Sequence, residues 1–140
     1  MTLLQSGIEL FNDGEFFRCH EVLEEAWTPE RGPLRLFLQS LIHIAAAFHH
    51  HQRGNYAGAV AQLRKGLRKL EAYLPSCEGI DTGRLFRESR AALESIEVHA
   101  EGWDYPLIHL HEGRRAQAKP PAPPATPLKS SDDDWHKKDS

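Results

Sequence analysis

A chain of 140 residues with 40% hydrophobic and 26% charged side chains has the balance of one globular domain with a tail, which excludes a fibrous or wholly disordered protein. Its formal net charge of -3 excludes the basic excess of a dedicated nucleic-acid binder. No apolar run approaches the roughly 20 residues that span a bilayer, and Cys19 and Cys77 lack CxxC spacing, which argues against a disulfide framework or a zinc knuckle. The opening Met1-Thr2-Leu3-Leu4-Gln5-Ser6 does not read as a signal peptide. The expectation is a cytoplasmic protein with no nucleic-acid or membrane partner.

Periodicity and punctuation predict five helices. The first runs from about Thr2 to Asn12, with Leu3, Leu4, Ile8 and Phe11 on one side and Gly14 placed to end it in a left-handed conformation. The second covers about Glu15 to Thr28 and stops before Pro29, because a proline disfavours helix at the residue preceding it. Pro33 suits the opening turn of the third, where its missing N–H costs nothing. Apolar residues from Leu34 to Phe48 nearly encircle that helix, so it is expected to be the central element. Gly54 ends it, and Asn55 can cap a fourth helix whose apolar stripe runs from Tyr56 to Leu74, with Arg64, Lys65, Arg68 and Lys69 opposite. Pro75 closes the fourth. The fifth opens at Asp81 as N-cap and fades near Gly102.

Trp103, Tyr105, Pro106, Leu107, Ile108 and Leu110 can still pack as an extended strap. From about Ala116 the composition shifts to Pro, Ser, Asp and Lys, the signature of a disordered tail. The predicted fold is therefore all-α: a compact helical bundle over residues 1–111, followed by a disordered C-terminal tail over 112–140. Segments 11–16 and 51–56 echo each other as helix, glycine turn, aromatic, helix. That grammar resembles tetratricopeptide-type antiparallel hairpins and predicts that the helices stack as such pairs.

One constellation can carry chemistry. In the second helix Phe16, His20, Leu23, Glu24 and Trp27 share a side, because residues three and four apart are helical neighbours. His20 and Glu24 thus point toward the core, where a carboxylate needs a partner. Glu21 sits about 100° round from His20 and can join from the rim. In the third helix Gln39, His43 and His50 form a polar stripe on an otherwise apolar cylinder. Two such stripes lower their cost by facing each other, which predicts a polar cluster of these residues between the second and third helices.

Three readings of that cluster stay open. Imidazole and carboxylate can ligate a divalent transition metal, with His20, Glu24 and His43 or His50 as ligands and Glu21 as general base of a metal-dependent hydrolase. The pattern is HExxE, however, without the second helical histidine of HExxH. A hydrogen-bond network that fixes helix register is the plainer reading. The third is a pocket for a small molecule or peptide. The run His49-His50-His51 splays around the helix, so most of it is expected to be solvated helix end. The basic stripe of the fourth helix reads as a solvated face, and Trp27 as a core aromatic.

The stretch Phe11-Asn12-Asp13-Gly14-Glu15-Phe16-Phe17, then His20-Glu21-x-x-Glu24-x-x-Trp27, then Phe37 through Ala47, then Arg53-Gly54-Asn55 resembles an uncharacterised bacterial and archaeal family, domain-of-unknown-function family 309, marked by an HExxExxW motif. The resemblance covers roughly Leu4 to Leu74. It implies an all-helical fold and a joint role for His20, Glu21, Glu24 and Trp27, and brings no established activity. With the metal ligand set incomplete, the residues favour a binding or adaptor module for a small molecule or protein partner over the hydrolase; self-association stays open.

Overall fold

Thr2 caps the first helix from outside. Its hydroxyl accepts from the Gln5 amide at 3.0 Å while Gln5 Oε1 accepts from the Thr2 amide at 2.8 Å, a reciprocal box that satisfies amides a helix start leaves open. Helix α1 accordingly spans Leu3–Asn12. Helix α2, Phe16–Trp27, stops just short of Pro29. Helix α3, Arg35–Gln52, begins two residues after Pro33, because the Arg35 amide closes a turn onto the Gly32 carbonyl. Every residue of α3 from Leu36 to Phe48 is buried, as its all-round apolar pattern predicts.

Helix α4, Tyr56–Leu70, is capped by Asn55, whose Oδ1 accepts from the Gly58 amide at 3.0 Å. It ends earlier than its apolar stripe suggests and tightens into a short 3-10 helix, Glu71–Tyr73. The tighter turn brings Tyr73 inward, where its ring packs on Phe37 at 5.4 Å and its hydroxyl donates to the Pro33 carbonyl at 2.8 Å. Helix α5, Thr82–Glu97, starts at Asp81, whose carboxylate accepts from the Arg84 amide. The structure, a computed structural model, describes residues 1–111; the tail expected over 112–140 lies outside the described residues. Among those described, no helix is long and apolar enough to cross a membrane.

The two echoing segments form the same turn. Asp13, Gly14 and Glu15 donate to Glu9 and Leu10, Phe11, and Leu10; Arg53, Gly54 and Asn55 donate to the matching His49 and His50, His51, and His50. Both glycines sit at φ +78, the left-handed position that closes a helix and disfavours any side chain. Two helical hairpins result, α1–α2 and α3–α4, and each helix packs on the next through to α5. The second hairpin is drawn tight at Gly66, where a Cβ would come within 2.8 Å of Ile44 Cγ1 and 3.0 Å of the Ser40 carbonyl. A bare backbone there lets α4 lie directly against α3.

The strap is present. Asn12 donates through Nδ2 to the Ile108 carbonyl and accepts at Oδ1 from the Ile108 amide, tying the end of α1 to residues nearly a hundred positions away. The Asp81 amide donates to His109 and the His111 amide to Gly79. Tyr105 packs its ring against Phe16 and Phe48, each at 5.1 Å, extending the core aromatic cluster around Phe11.

Candidate functional site

On α2, His20 and Glu24 stand one turn apart with Nε2 and Oε2 separated by 3.9 Å. The imidazole is buried, whereas the Glu24 side chain keeps 26% of its surface. Phe17, exposed, stacks on His20 with ring centroids 6.3 Å apart and also meets His49 of α3 at 5.2 Å. At the far end of the same face Trp27 is buried, and the Arg35 guanidinium lies 4.0 Å from its ring centroid while donating to the Trp27 carbonyl. These pairings fix the direction of travel: the start of α2 lies by the end of α3, and the end of α2 by its start.

The α3 stripe is buried throughout: Gln39, His43 and His50 keep 2%, 0% and 3% of their surface. His43 is held from α4. Its Nδ1 lies 2.8 Å from Gln62 Oε1, and its Nε2 lies 3.5 Å from the Lys69 ammonium. An ammonium can only donate, so Nε2 must be the acceptor and Nδ1–H the donor, which is the tautomer an amide oxygen requires. The ammonium therefore demands the neutral ring, and the Gln62 bond is compatible with it. Burial pushes the His43 imidazole down to about 3; the Gln62 bond opposes that fall, and the charges of Lys69, Lys65 and His20 add to it. The last and smallest of these effects comes from His20 of α2.

The expected cluster between α2 and α3 is thus wider than the sequence suggests. The hydrogen bonds to His43 named above come from α4, through Gln62, which is buried, and Lys69, which is half-buried. Lys69 belongs to the stripe read as a solvated face, and that reading fails for it because Gly66 brings α4 so close to α3 that Lys69 reaches a buried ring. Gln62 was signalled only by its spacing to Lys65 and Lys69, which puts all three on one side of α4. Phe17 carried no polar signal at all. Glu21 is exposed and sits outside the buried group.

The histidine run also departs from expectation. His50 is buried and its Nδ1 lies 3.1 Å from Asn55 Nδ2, so Asn55 both caps α4 and anchors that ring. His49 and His51 are half-buried rather than solvated. The strap and the first turn of α4 cover this helix end, and His51 Nδ1 pairs with the Tyr105 hydroxyl at 2.7 Å. For the metal reading, the structure does not gather His20, Glu24 and His43 into one ligand set: among the described residues no three His, Cys, Asp or Glu side chains group to hold a metal ion. A cation beside His43 Nε2 would meet the Lys69 ammonium. Cys19 and Cys77 are free and buried, and burial pushes both thiols up to about 12.

Residues 4–62 match the family model described as Domain of unknown function (DUF309). This segment belongs to the DUF309 family. The uncharacterized protein YpuF of Bacillus subtilis (strain 168) is 34% identical over 94 residues, which cover 65% of this chain and 54% of that protein. An uncharacterized protein of Aquifex aeolicus (strain VF5) is 30% identical over 95 residues, 67% of this chain and 27% of its own length. The chain thus spans about half of one relative and about a quarter of the other. The DUF309 match takes in His20, Glu21, Glu24, Trp27, Gln39, His43, His50 and Gln62, and ends before Lys65 and Lys69.

Proposed function

We propose that the chain is a helical binding module rather than an enzyme. Its ligand seats over the polar stripe of α3, between His20, Glu24 and Trp27 on α2 and Lys65 and Lys69 on α4. The observation that carries this reading is the lock on His43. A general acid or base works best with a pKa near the working pH, whereas His43 is held neutral far below it, with both ring nitrogens engaged. Such a group fixes a pattern of donors and acceptors, which serves recognition. Glu24 on α2 and Lys69 on α4 each retain access to solvent and carry opposite charges. The complementary ligand is a small polar molecule, or a chain end, bearing both a cationic and an anionic group.

The test uses glycine, acetate and methylammonium as zwitterionic, anionic and cationic probes, with Zn²⁺ as the metal probe, followed through the imidazole nitrogen resonances of His20 and His43. Glycine is expected to shift both rings more than either singly charged probe, and Lys69→Met or Glu24→Gln to abolish the response in a folded protein. A response to Zn²⁺ alone would instead support the metal-dependent hydrolase with Glu21 as base. No response to any probe, together with a loss of about 3–5 kcal/mol of stability in Glu24→Ala, would make the cluster a purely architectural network.

A further inference from the structure

A second site lies at the other end of α3, where it meets the start of α4, the end of α5 and the turn beyond. A cavity of about 170 Å³ is lined by His51, Tyr56, Ile96, His99, Ala100 and Glu101. Among the described lining residues, three rings are contiguous: Tyr56 stacks on His51 at 5.1 Å and 28°, and meets His99 at 5.5 Å. Trp103 backs His51 at 5.0 Å, and its indole N–H donates to the Ala100 carbonyl, which steadies the turn. Burial lowers the His51 pKa, which favours the uncharged ring. Among the described residues, Glu101 is the single acidic side chain on the lining, and neither Lys nor Arg lines it.

The turn that presents this wall is unusual. Val98, His99 and Ala100 donate to Glu94, Ile96 and Ser95, the same offsets that close α1 through Asp13, Gly14 and Glu15 and α3 through Arg53, Gly54 and Asn55. The position held by glycine in those two turns is held here by His99, at φ 56. Glycine is the unstrained choice in that conformation, and a strained non-glycine residue marks a place where its side chain has a use. The imidazole it contributes is one of the three cavity rings.

We propose that this cavity binds a small organic ammonium group, through the aromatic rings by cation–π attraction and through the Glu101 carboxylate by charge. Aromatic walls with one acidic group are the arrangement by which proteins hold quaternary and methylated ammonium ions, and the volume admits a headgroup of that size but not a large ligand. The lining includes none of His20, Glu24, Trp27, Gln39, His43, Lys65 and Lys69, and the proposal does not depend on the function proposed for those residues.

The test titrates choline, its neutral carbon isostere, and a peptide bearing one trimethylated lysine into the full chain, following the ring-proton resonances of His51, Tyr56 and His99. Choline or the peptide is expected to shift all three rings, with the neutral isostere roughly tenfold weaker. Tighter binding by the peptide would assign the ammonium to a modified lysine, and tighter binding by choline to a free metabolite. Tyr56→Leu, at an exposed position, is expected to remove the response. His99→Gly separates the two roles of its position: it should raise the thermal midpoint by relieving the turn while weakening ammonium binding several-fold. Equal binding of the isostere, no shift of the three rings by either ammonium probe, or unchanged affinity in His99→Gly overturns the proposal.

Discussion

His43 and His51 lie about two turns apart on one helix, and burial drives both imidazoles toward the neutral form. Their neighbours differ in kind. His43 sits in a polar seam, between an amide and an ammonium from α4. His51 sits among rings, bonded to the Tyr105 phenol and stacked on Tyr56. One central helix thus serves two chemically distinct regions, the first suited to charged and hydrogen-bonding groups and the second to a soft cation. The difference arises from what each end of α3 packs against, since the residue type is the same.

The largest expected effect comes from Phe48→Ala, which removes a fully buried ring packed on Phe16 of α2 and Tyr105 of the strap. The loss should be about 3–5 kcal/mol, measured by denaturant unfolding, and probes at His43 and His51 should unfold together if the two regions share one cooperative core. Acid separates them. The folded state withholds a proton from His43 down to about 3, while the unfolded chain takes one up below the ordinary 6.5. Stability is therefore fully present above about 6.5 and is lost as pH falls from there toward 3, by an amount on the order of a few kcal/mol. His43→Gln should flatten that limb of the stability–pH curve, and His51→Gln should alter it much less because His51 is only half-buried.

Gln62→Leu tests the polar seam without opening a large cavity. It leaves the His43 Nδ1–H facing an apolar group, and urea unfolding should show a loss of about 1–3 kcal/mol. On the aromatic side, Tyr105→Phe removes only the hydroxyl that meets His51 and should cost about 0.5–1.5 kcal/mol, with the His51 pKa moving and that of His43 unchanged. Arg64→Ala should change stability by less than about 0.5 kcal/mol, since the Arg64–Glu97 pair is largely exposed. A larger effect would mean that the α4–α5 seam contributes more to the aromatic region than its surface pairing suggests.

Much of the helical framework was legible because its signals are local. Gly14 and Gly54 end helices, and Asn55 and Asp81 cap them, through bonds that span three to five residues. The polar stripe of Gln39, His43 and His50 was equally readable, being a matter of helical period. The partners of that stripe were harder to see. Lys69 carries the sequence signature of a surface lysine, and only the close approach at Gly66 makes it a neighbour of a buried ring. Phe17 and His99 gave no signal either, because the contacts that give them meaning come from other helices or from a turn whose glycine position happens to hold an imidazole.

The amino-acid sequence by itself determined that the chain is helical, where the helices turn, and that α3 is central and carries one polar stripe. Those features depend on backbone hydrogen bonds and side-chain periodicity within a few residues. The tertiary structure alone decided that the stripe is held in part from α4, that His51 lies beneath a strap tied to Asn12, and that His99 closes an aromatic wall. Such pairings depend on how closely two helices approach and which faces they turn to each other, and a single-residue choice such as Gly66 sets that distance from far along the chain.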